Sequence, residues 1–264
     1  MYLFFIFIVG LCFGSFLNCF IYRLHEQKTI LGRSFCPRCK KQIAWYDNIP
    51  LLSFILLKGK CRHCKKKISW QYPAVELVTA VLFVLIYINY QLPITNDQLV
   101  SSFQFPVSNI ILFARDLIFI SVLIIVFIYD LRWQLILDKI TLPAMVIALG
   151  FNLFLGAGWQ NLLLAAIMGG GFFLAQYLIS RGRWVGGGDI RLGALMGLML
   201  GWPQILTALF LAYVSGAIIG VGLLVARKKQ WSSQVPFGTF LSAATVVVLL
   251  WGSKILEWYL GIIF

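Results

Sequence analysis

Charged residues are scarce in this chain of 264 residues: Asp, Glu, Lys and Arg make up 12% of it, and hydrophobic residues make up 61%. A soluble globular domain of this size needs far more polar groups to cover its surface, so the composition excludes that class. The mean hydropathy of +0.89 indicates a polytopic membrane protein instead. The first apolar run also lacks a basic n-region and a small-residue cleavage site, so we expect a retained helix and not a signal peptide.

Long apolar runs recur along the chain and predict an all-α polytopic membrane protein with about eight transmembrane helices. A span needs roughly 20 residues. The sixth run has only 13, about 20 Å of helix, so either part of the segment before it lies inside the membrane or it is a half-span. The runs lie near residues 1–22, 74–91, 108–130, 140–156, 161–180, 192–204, 205–226 and 237–263.

The few charges are distributed unevenly between the loops. When the chain is threaded alternately through the membrane, 20 of its 22 Lys and Arg residues fall on one side, in the segments 23–73, 131–139, 181–191 and 227–236. By the positive-inside bias, that side is the cytoplasm. The net charge of +13 is therefore explained by the basic residues of the cytoplasmic loops. We expect the lipid bilayer as a partner and no nucleic acid.

Two C-x-x-C pairs, Cys36 with Cys39 and Cys61 with Cys64, lie 21 residues apart in the segment 23–73. Cytoplasmic thiols stay reduced, so structural disulfides are disfavoured there. Four thiolates at this spacing suit a tetrahedral Zn²⁺, which favours a small zinc-ribbon-like loop domain over free thiols. Such a closed cage folds a polar loop and does no chemistry of its own.

Two acidic residues stand beside apolar runs. Asp130 closes one run, and Asp189 follows three glycines at the start of another. Taken singly, Asp130 is an interfacial residue and Asp189 a helix N-cap. The predicted topology puts both on the same face of the membrane, which favours a joint function, because carboxylates beside spans are costly and usually functional.

Two carboxylates that share a proton can activate a water molecule. One takes a proton from water, which attacks a peptide carbonyl, while the protonated partner donates a hydrogen bond to the oxyanion. The protons belong to the pair, so neither residue is assigned as acid or base. Gly187 and Gly188 would let a substrate strand approach Asp189 without a Cβ in the way. Asp138 is most simply the N-cap of the next span.

These residues resemble the type IV prepilin peptidases, which are bifunctional leader peptidases and N-methyltransferases of pilin-like proteins. The resemblance covers nearly the whole chain and includes the Gly-x-Gly-Asp motif of intramembrane aspartyl proteases. The matching segments are Gly14-Ser15-Phe16-Leu17-Asn18, Tyr22-Arg23, the paired cysteines, Trp45-Tyr46-Asp47-Asn48-Ile49-Pro50, Tyr72-Pro73-Ala74-Val75-Glu76, Asp130 with Asp138, and Gly186-Gly187-Gly188-Asp189.

Three positions depart from the family pattern. Leu137 stands where a proline is usual, Arg191 replaces a lysine but keeps its charge, and Asp47 replaces a common glutamate. None of them is one of the two carboxylates. In the family the first aspartate of its motif is the catalytic one, which implies Asp130 rather than Asp138.

The resemblance implies a bacterial enzyme of the cytoplasmic (inner) membrane, with its active site and cysteine loop facing the cytoplasm. Its substrates would be type IV prepilins or pseudopilins, cleaved after the basic leader and then N-methylated from S-adenosylmethionine. Methylation follows from the resemblance alone, with Glu76 as a possible participant. We divide the chain into a first helix (1–22), a zinc and methyltransferase loop (23–73) and a peptidase bundle (74–264).

Two alternatives remain open at the level of sequence. The chain could be a peptidase without methyltransferase activity. It could also be a membrane transporter or scaffold with a zinc-ribbon docking loop, in which the paired aspartates would serve as a proton relay.

Overall fold

The computed structural model describes residues 2–29, 31–91, 107–225 and 236–263, and within them the chain is helical with no extended strand. The predicted basic loop 227–236 lies outside the described residues except for Pro236, and so does Asp97. The helices are α1 (Tyr2–His25), α2 (Leu52–Leu56), α3 (Gln71–Gln91), α4 (Val107–Trp133), α5 (Asp138–Phe154), α6 (Trp159–Ser180), α7 (Gly187–Leu200), α8 (Gln204–Val225) and α9 (Phe237–Ile263), with a 3₁₀ turn at Trp45–Asn48.

The predicted all-α membrane fold is confirmed, although the count of eight spans is approximate. Among the described helices, α1, α3, α4, α6, α8 and α9 are long and apolar enough to cross a bilayer. The other two long helices are shorter than the roughly 20 residues of a full span: α5 has 17 residues and α7 has 14.

The chain forms two compact units, one within residues 1–103 and one within 104–264. In the first unit α1 packs on α3 through small residues. A Cβ added at Gly14 would lie 2.6 Å from the Cα of Glu76, and one at Gly10 would meet the backbone of Ala80. The sequence division into a first helix, a loop and a bundle stays a prediction, but in the structure α3 packs within the first unit.

In the second unit α7 contacts α5, α6, α8 and α9. Its side chains Leu192, Leu195 and Met196 are fully buried, as expected for a helix surrounded by other helices. The closest approach is to α6, where a Cβ on Gly193 or on Gly197 would overlap the α6 backbone. Glycines spaced four apart therefore allow two helices to pack at backbone distance.

The boundaries of α7 differ from the predicted run 192–204. The helix begins at Gly187 and ends at Leu200, so the segment around Asp189 is its first turn. Gly201 does not continue the row of glycines, Gly193 and Gly197, that pack against α6. It ends the helix with a φ of +73°, a conformation that favours glycine.

Candidate active site

Asp130 lies near the end of α4 and is buried, with 5% of its surface exposed. Its Oδ2 accepts a hydrogen bond of 2.8 Å from the backbone N–H of Thr239, and the N–H of Gly238 also bonds the carboxylate. Both amides belong to the first turn of α9, which begins at Phe237. The N-terminus of a helix presents unpaired N–H groups and favours negative charge, so α9 provides a seat for this carboxylate.

Asp189 is the third residue of α7 and is partly buried. Its Oδ2 accepts the N–H of Gly186 at 3.0 Å, an interaction in which a third-position carboxylate satisfies the N-cap amide. Asp189 therefore lies three residues after the N-cap, which is Gly186, and not at the N-cap position predicted from the sequence. Geometry brings the surroundings of Asp189 and Asp130 together, although the two residues are 59 positions apart in the sequence. The side chain of Ile136 lies against Gly188, next to Asp189, and against Gly238, whose N–H bonds Asp130.

The two glycines before Asp189 have different surroundings. A Cβ on Gly187 would meet nothing within 4 Å, whereas one on Gly188 would lie 2.8 Å from the Cβ of Ile136. The same Ile136 side chain would lie 3.1 Å from a Cβ on Gly238. Ile136 thus packs between the first turns of α7 and α9. Gly187 retains the open space predicted for a substrate strand, while Gly188 is covered by a side chain.

Asp138 and Arg191 form an ion pair between the first turns of α5 and α7. Asp138 is the first helical residue of α5, and Leu137 occupies the N-cap position, so the predicted N-cap is displaced by one residue. The pair is largely exposed, with side-chain exposures of 42% for Arg191 and 51% for Asp138. Exposed pairs contribute about 0–1 kcal/mol, so its effect is orientation more than stability.

Aromatic residues close to the aspartates were not among the predicted site residues. The Nε2 of Gln176 donates a hydrogen bond of 2.8 Å to the Tyr213 hydroxyl. The Tyr213 ring packs on that of Phe237 at 4.9 Å and stacks with that of Phe173 at 6.5 Å. In an apolar run such aromatics look like lipid-facing or core residues, so composition gives no signal for them.

The four cysteines meet in the first unit, with all Sγ atoms within 4.8 Å of one another. A tetrahedron with Zn–S bonds of about 2.3 Å has S–S edges of about 3.8 Å, and the Sγ atoms of Cys36 and Cys64 are 3.9 Å apart. Backbone N–H groups, that of Cys64 foremost, lower the pKa of Cys61 to about 7. Against a backbone hydrogen bond from Lys41, burial and the neighbouring thiols of Cys36 and Cys64 raise the pKa of Cys39 to about 11, so a bound cation is needed for all four thiols to ionise together. The donor set therefore fits a bound metal ion.

Each C-x-x-C pair lies on a tight turn that an isolated antiparallel bridge closes, between Phe35 and Gln42 and between Lys60 and Lys67. The amides of Cys36 and Cys61 donate to the carbonyls of Lys41 and Lys66, both at 2.9 Å. The two turns thus have the same construction, and the cluster fits the predicted zinc-ribbon-like loop.

Glu76 is buried in the sixth position of α3, with 7% of its surface exposed. Its Oε2 accepts the backbone N–H of Leu51 at 2.8 Å, and the Ser15 side chain also bonds it. These contacts tie α1, α3 and the loop together. The assignment of Glu76 to methylation stays a prediction.

Comparison with known proteins identifies two family models along the chain. Residues 8–90 match the bacterial peptidase A24 N-terminal domain, and residues 117–221 match the type IV leader peptidase family. No solved structure matches the chain significantly.

Three curated relatives match over nearly their whole length. The chain is 32% identical to the prepilin leader peptidase/N-methyltransferase of Aeromonas salmonicida, over 98% of this chain and 94% of the relative. It is also 32% identical to the proteins of the same name from Legionella pneumophila (96% and 92% covered) and Bacillus subtilis (97% and 96%).

These matches define the class: the chain belongs to the type IV leader peptidase family. Membership and the six apolar helices together indicate a multi-pass protein of the bacterial cytoplasmic (inner) membrane.

Proposed function

We propose that this protein removes the leader from type IV prepilins or pseudopilins, using Asp130 and Asp189 as a catalytic dyad. The observation that carries the proposal is that the Ile136 side chain lies between two helix starts, the first turn of α7, which carries Asp189, and the first turn of α9, whose amides bond Asp130. The names of the curated relatives agree with it.

The proposed chemistry follows from the positions of the two carboxylates. Two neighbouring carboxylates do not both ionise readily, so one holds the proton and the other accepts one from water. The water attacks the scissile carbonyl, and the protonated carboxyl donates a hydrogen bond to the developing oxyanion. When the tetrahedral intermediate collapses, the C–N bond breaks and the carboxyl that took the proton from water gives it to the leaving amine. Open space at Gly187 gives an unwound substrate strand room beside Asp189, and the ion pair of Arg191 with Asp138 holds α7 in register with α5.

We further propose that the dyad and the cysteine loop face the cytoplasm, because the Lys and Arg residues concentrate in the segments on that side. The four cysteines would hold Zn²⁺, which supplies structural cross-linking of the loop and no reaction step.

Methylation of the new amino terminus from S-adenosylmethionine is the second proposed activity. It rests on the family and on the names of the relatives. S-adenosylmethionine would supply the methyl group, and we assign its use to the segment 23–73 with Glu76 as a candidate participant.

Co-expression with a prepilin tests the dyad directly. Asp130→Asn and Asp189→Asn should each abolish cleavage at unchanged protein level, while Glu257→Gln, which alters an exposed carboxylate on α9, should cleave normally. Cleavage by either Asn variant at the wild-type rate would contradict the dyad. The same cleavage in cells that lack this protein would revive the transporter or scaffold hypothesis.

Mass analysis of the cleaved pilin tests methylation separately. A mature amino terminus one methyl group heavier is the expected result. An unmethylated terminus from an active enzyme would leave a peptidase without methyltransferase activity.

A further inference from the structure

The short helix α2 exposes apolar side chains on one face. Leu52, Ile55 and Leu56 are 48%, 68% and 71% exposed, and the spacing i, i+3, i+4 places them on one side of the helix. The other side is occupied. Ser53 is buried and its hydroxyl donates to the carbonyl of Tyr46 at 2.9 Å, while the Phe54 ring packs on that of Trp70 at 5.0 Å.

Contacts to α3 set the depth of α2. The amide of Leu51, immediately before α2, donates to Glu76, and Glu76 lies five residues into a helix that is long and apolar enough to span the membrane from Gln71. Five residues correspond to about 7.5 Å of helix rise, so the start of α2 is held beside the membrane end of α3 and not above it. Trp70, which supports Phe54 and is 77% exposed, directly precedes α3 at the level where tryptophans anchor spans.

The segment that follows α2 carries basic residues and no acidic ones. The segment 52–70 contains six basic residues and no acidic ones. Its lysines are exposed, and they are Lys58, Lys60, Lys65, Lys66 and Lys67. An apolar helix face next to clustered lysines matches the inner boundary of a bilayer with anionic headgroups, where each basic residue adds electrostatic attraction.

We propose that α2 is a membrane-interface helix held in place by Glu76, with its Leu52/Ile55/Leu56 face in contact with the acyl boundary and the following lysines on anionic lipid headgroups. The buried carboxylate of Glu76 then has an anchoring role in this chain, through its hydrogen bond to Leu51.

Photo-crosslinking of the full-length protein in nanodiscs tests this contact. The nanodiscs contain equal amounts of phosphatidylglycerol and phosphatidylethanolamine, and p-benzoylphenylalanine replaces Ile55 or Leu56 in separate variants. Arg38, an exposed residue on the turn of the first cysteine pair, carries the same replacement as the matched control. Mass spectrometry then identifies the molecule attached at each position.

Lipid adducts at 55 and 56 should exceed those at 38 several-fold, with phosphatidylglycerol attached in preference to phosphatidylethanolamine. Replacing Lys65, Lys66 and Lys67 with Gln should bring the ratio of phosphatidylglycerol adducts to phosphatidylethanolamine adducts close to one. No lipid adduct at 55 and 56, or equal labelling at 38, would overturn the proposal, as would adducts to a second copy or to another protein. Equal labelling by both lipids would overturn the assignment to anionic headgroups.

Variants of Glu76 test the anchor independently. Glu76→Ala removes the acceptor for the Leu51 amide and should lower the lipid adducts at Ile55 several-fold, whereas Glu76→Gln keeps an acceptor oxygen and should retain them. Adducts that do not change in Glu76→Ala would show that α2 holds its position without this hydrogen bond.

Discussion

Replacement of Gly238 by Ala tests whether the hydrogen bonds from the first turn of α9 position the carboxylate of Asp130. The new Cβ would lie 2.9 Å from Oδ2 and 3.0 Å from Cγ of Asp130, closer than real Cβ atoms approach other heavy atoms. Either the carboxylate rotates or α9 moves away, and both changes break the 2.8 Å bond from Thr239. A hydrogen bond to a charged group contributes about 1.5–3 kcal/mol, so its loss at the reacting carboxylate predicts a fall in kcat of about 10- to 150-fold.

A cleavage assay with purified enzyme in detergent or nanodiscs measures this effect. KM should change little, because the substitution displaces a reacting group and not a substrate pocket. Gly171→Ala on α6 is the matched control, since its Cβ would meet nothing within 4 Å and alanine favours a helix by about 1 kcal/mol. A folded Gly238→Ala enzyme with wild-type kcat would refute the role of α9, while inactivity of Asp130→Asn would still uphold the dyad.

Three further substitutions address other parts of the molecule. Asp138→Asn should reduce cleavage less than about fivefold, because its ion pair is exposed and worth at most about 1 kcal/mol; a loss as complete as that of Asp130→Asn would make Asp138 a member of the dyad. Asn152→Leu removes a 2.6 Å hydrogen bond to the carbonyl of Leu198 and should cost about 1–3 kcal/mol of stability, seen as a lower Tm; an unchanged Tm contradicts that estimate. Cys61→Ser should abolish stoichiometric zinc in elemental analysis and impair folding or methylation before cleavage, whereas full zinc content would exclude this cysteine as a ligand.

Features that depend on residues close together in the sequence could be predicted from local patterns. The C-x-x-C pairs predict a four-thiol cluster because each tight turn brings two thiols together, and the structure places all four within metal-binding reach. Apolar runs likewise predict an all-helical membrane protein because the bilayer allows few other structures. Asp130 and Asp189 were predicted as a site because carboxylates beside membrane spans are costly, and their catalytic role stays a prediction.

The surroundings of the proposed dyad depend on packing between residues far apart in the sequence, which local sequence patterns do not encode. Thr239 lies 109 positions from Asp130, in an apolar run that resembles any other span. Ile136 looks like an ordinary loop hydrophobe, yet it packs against the first turns of both α7 and α9. Glu76 is also ambiguous in sequence, because the hydrogen bond that defines its surroundings comes from Leu51 in the loop.

The short length of α7 explains why its far end needs polar support. Fourteen residues span about 21 Å, less than the roughly 30 Å of hydrocarbon, so carbonyls at one end of α7 must find donors inside the protein. Asn152 donates to the carbonyl of Leu198, and Arg115 in turn donates to the side chain of Asn152 at 2.9 Å. The Nε of Arg115 also donates to the buried carboxylate of Asp116 at 2.8 Å, so an ion pair holds the arginine in place. Because this network fixes one end of α7, it also fixes how deep in the membrane Asp189 lies at the other end.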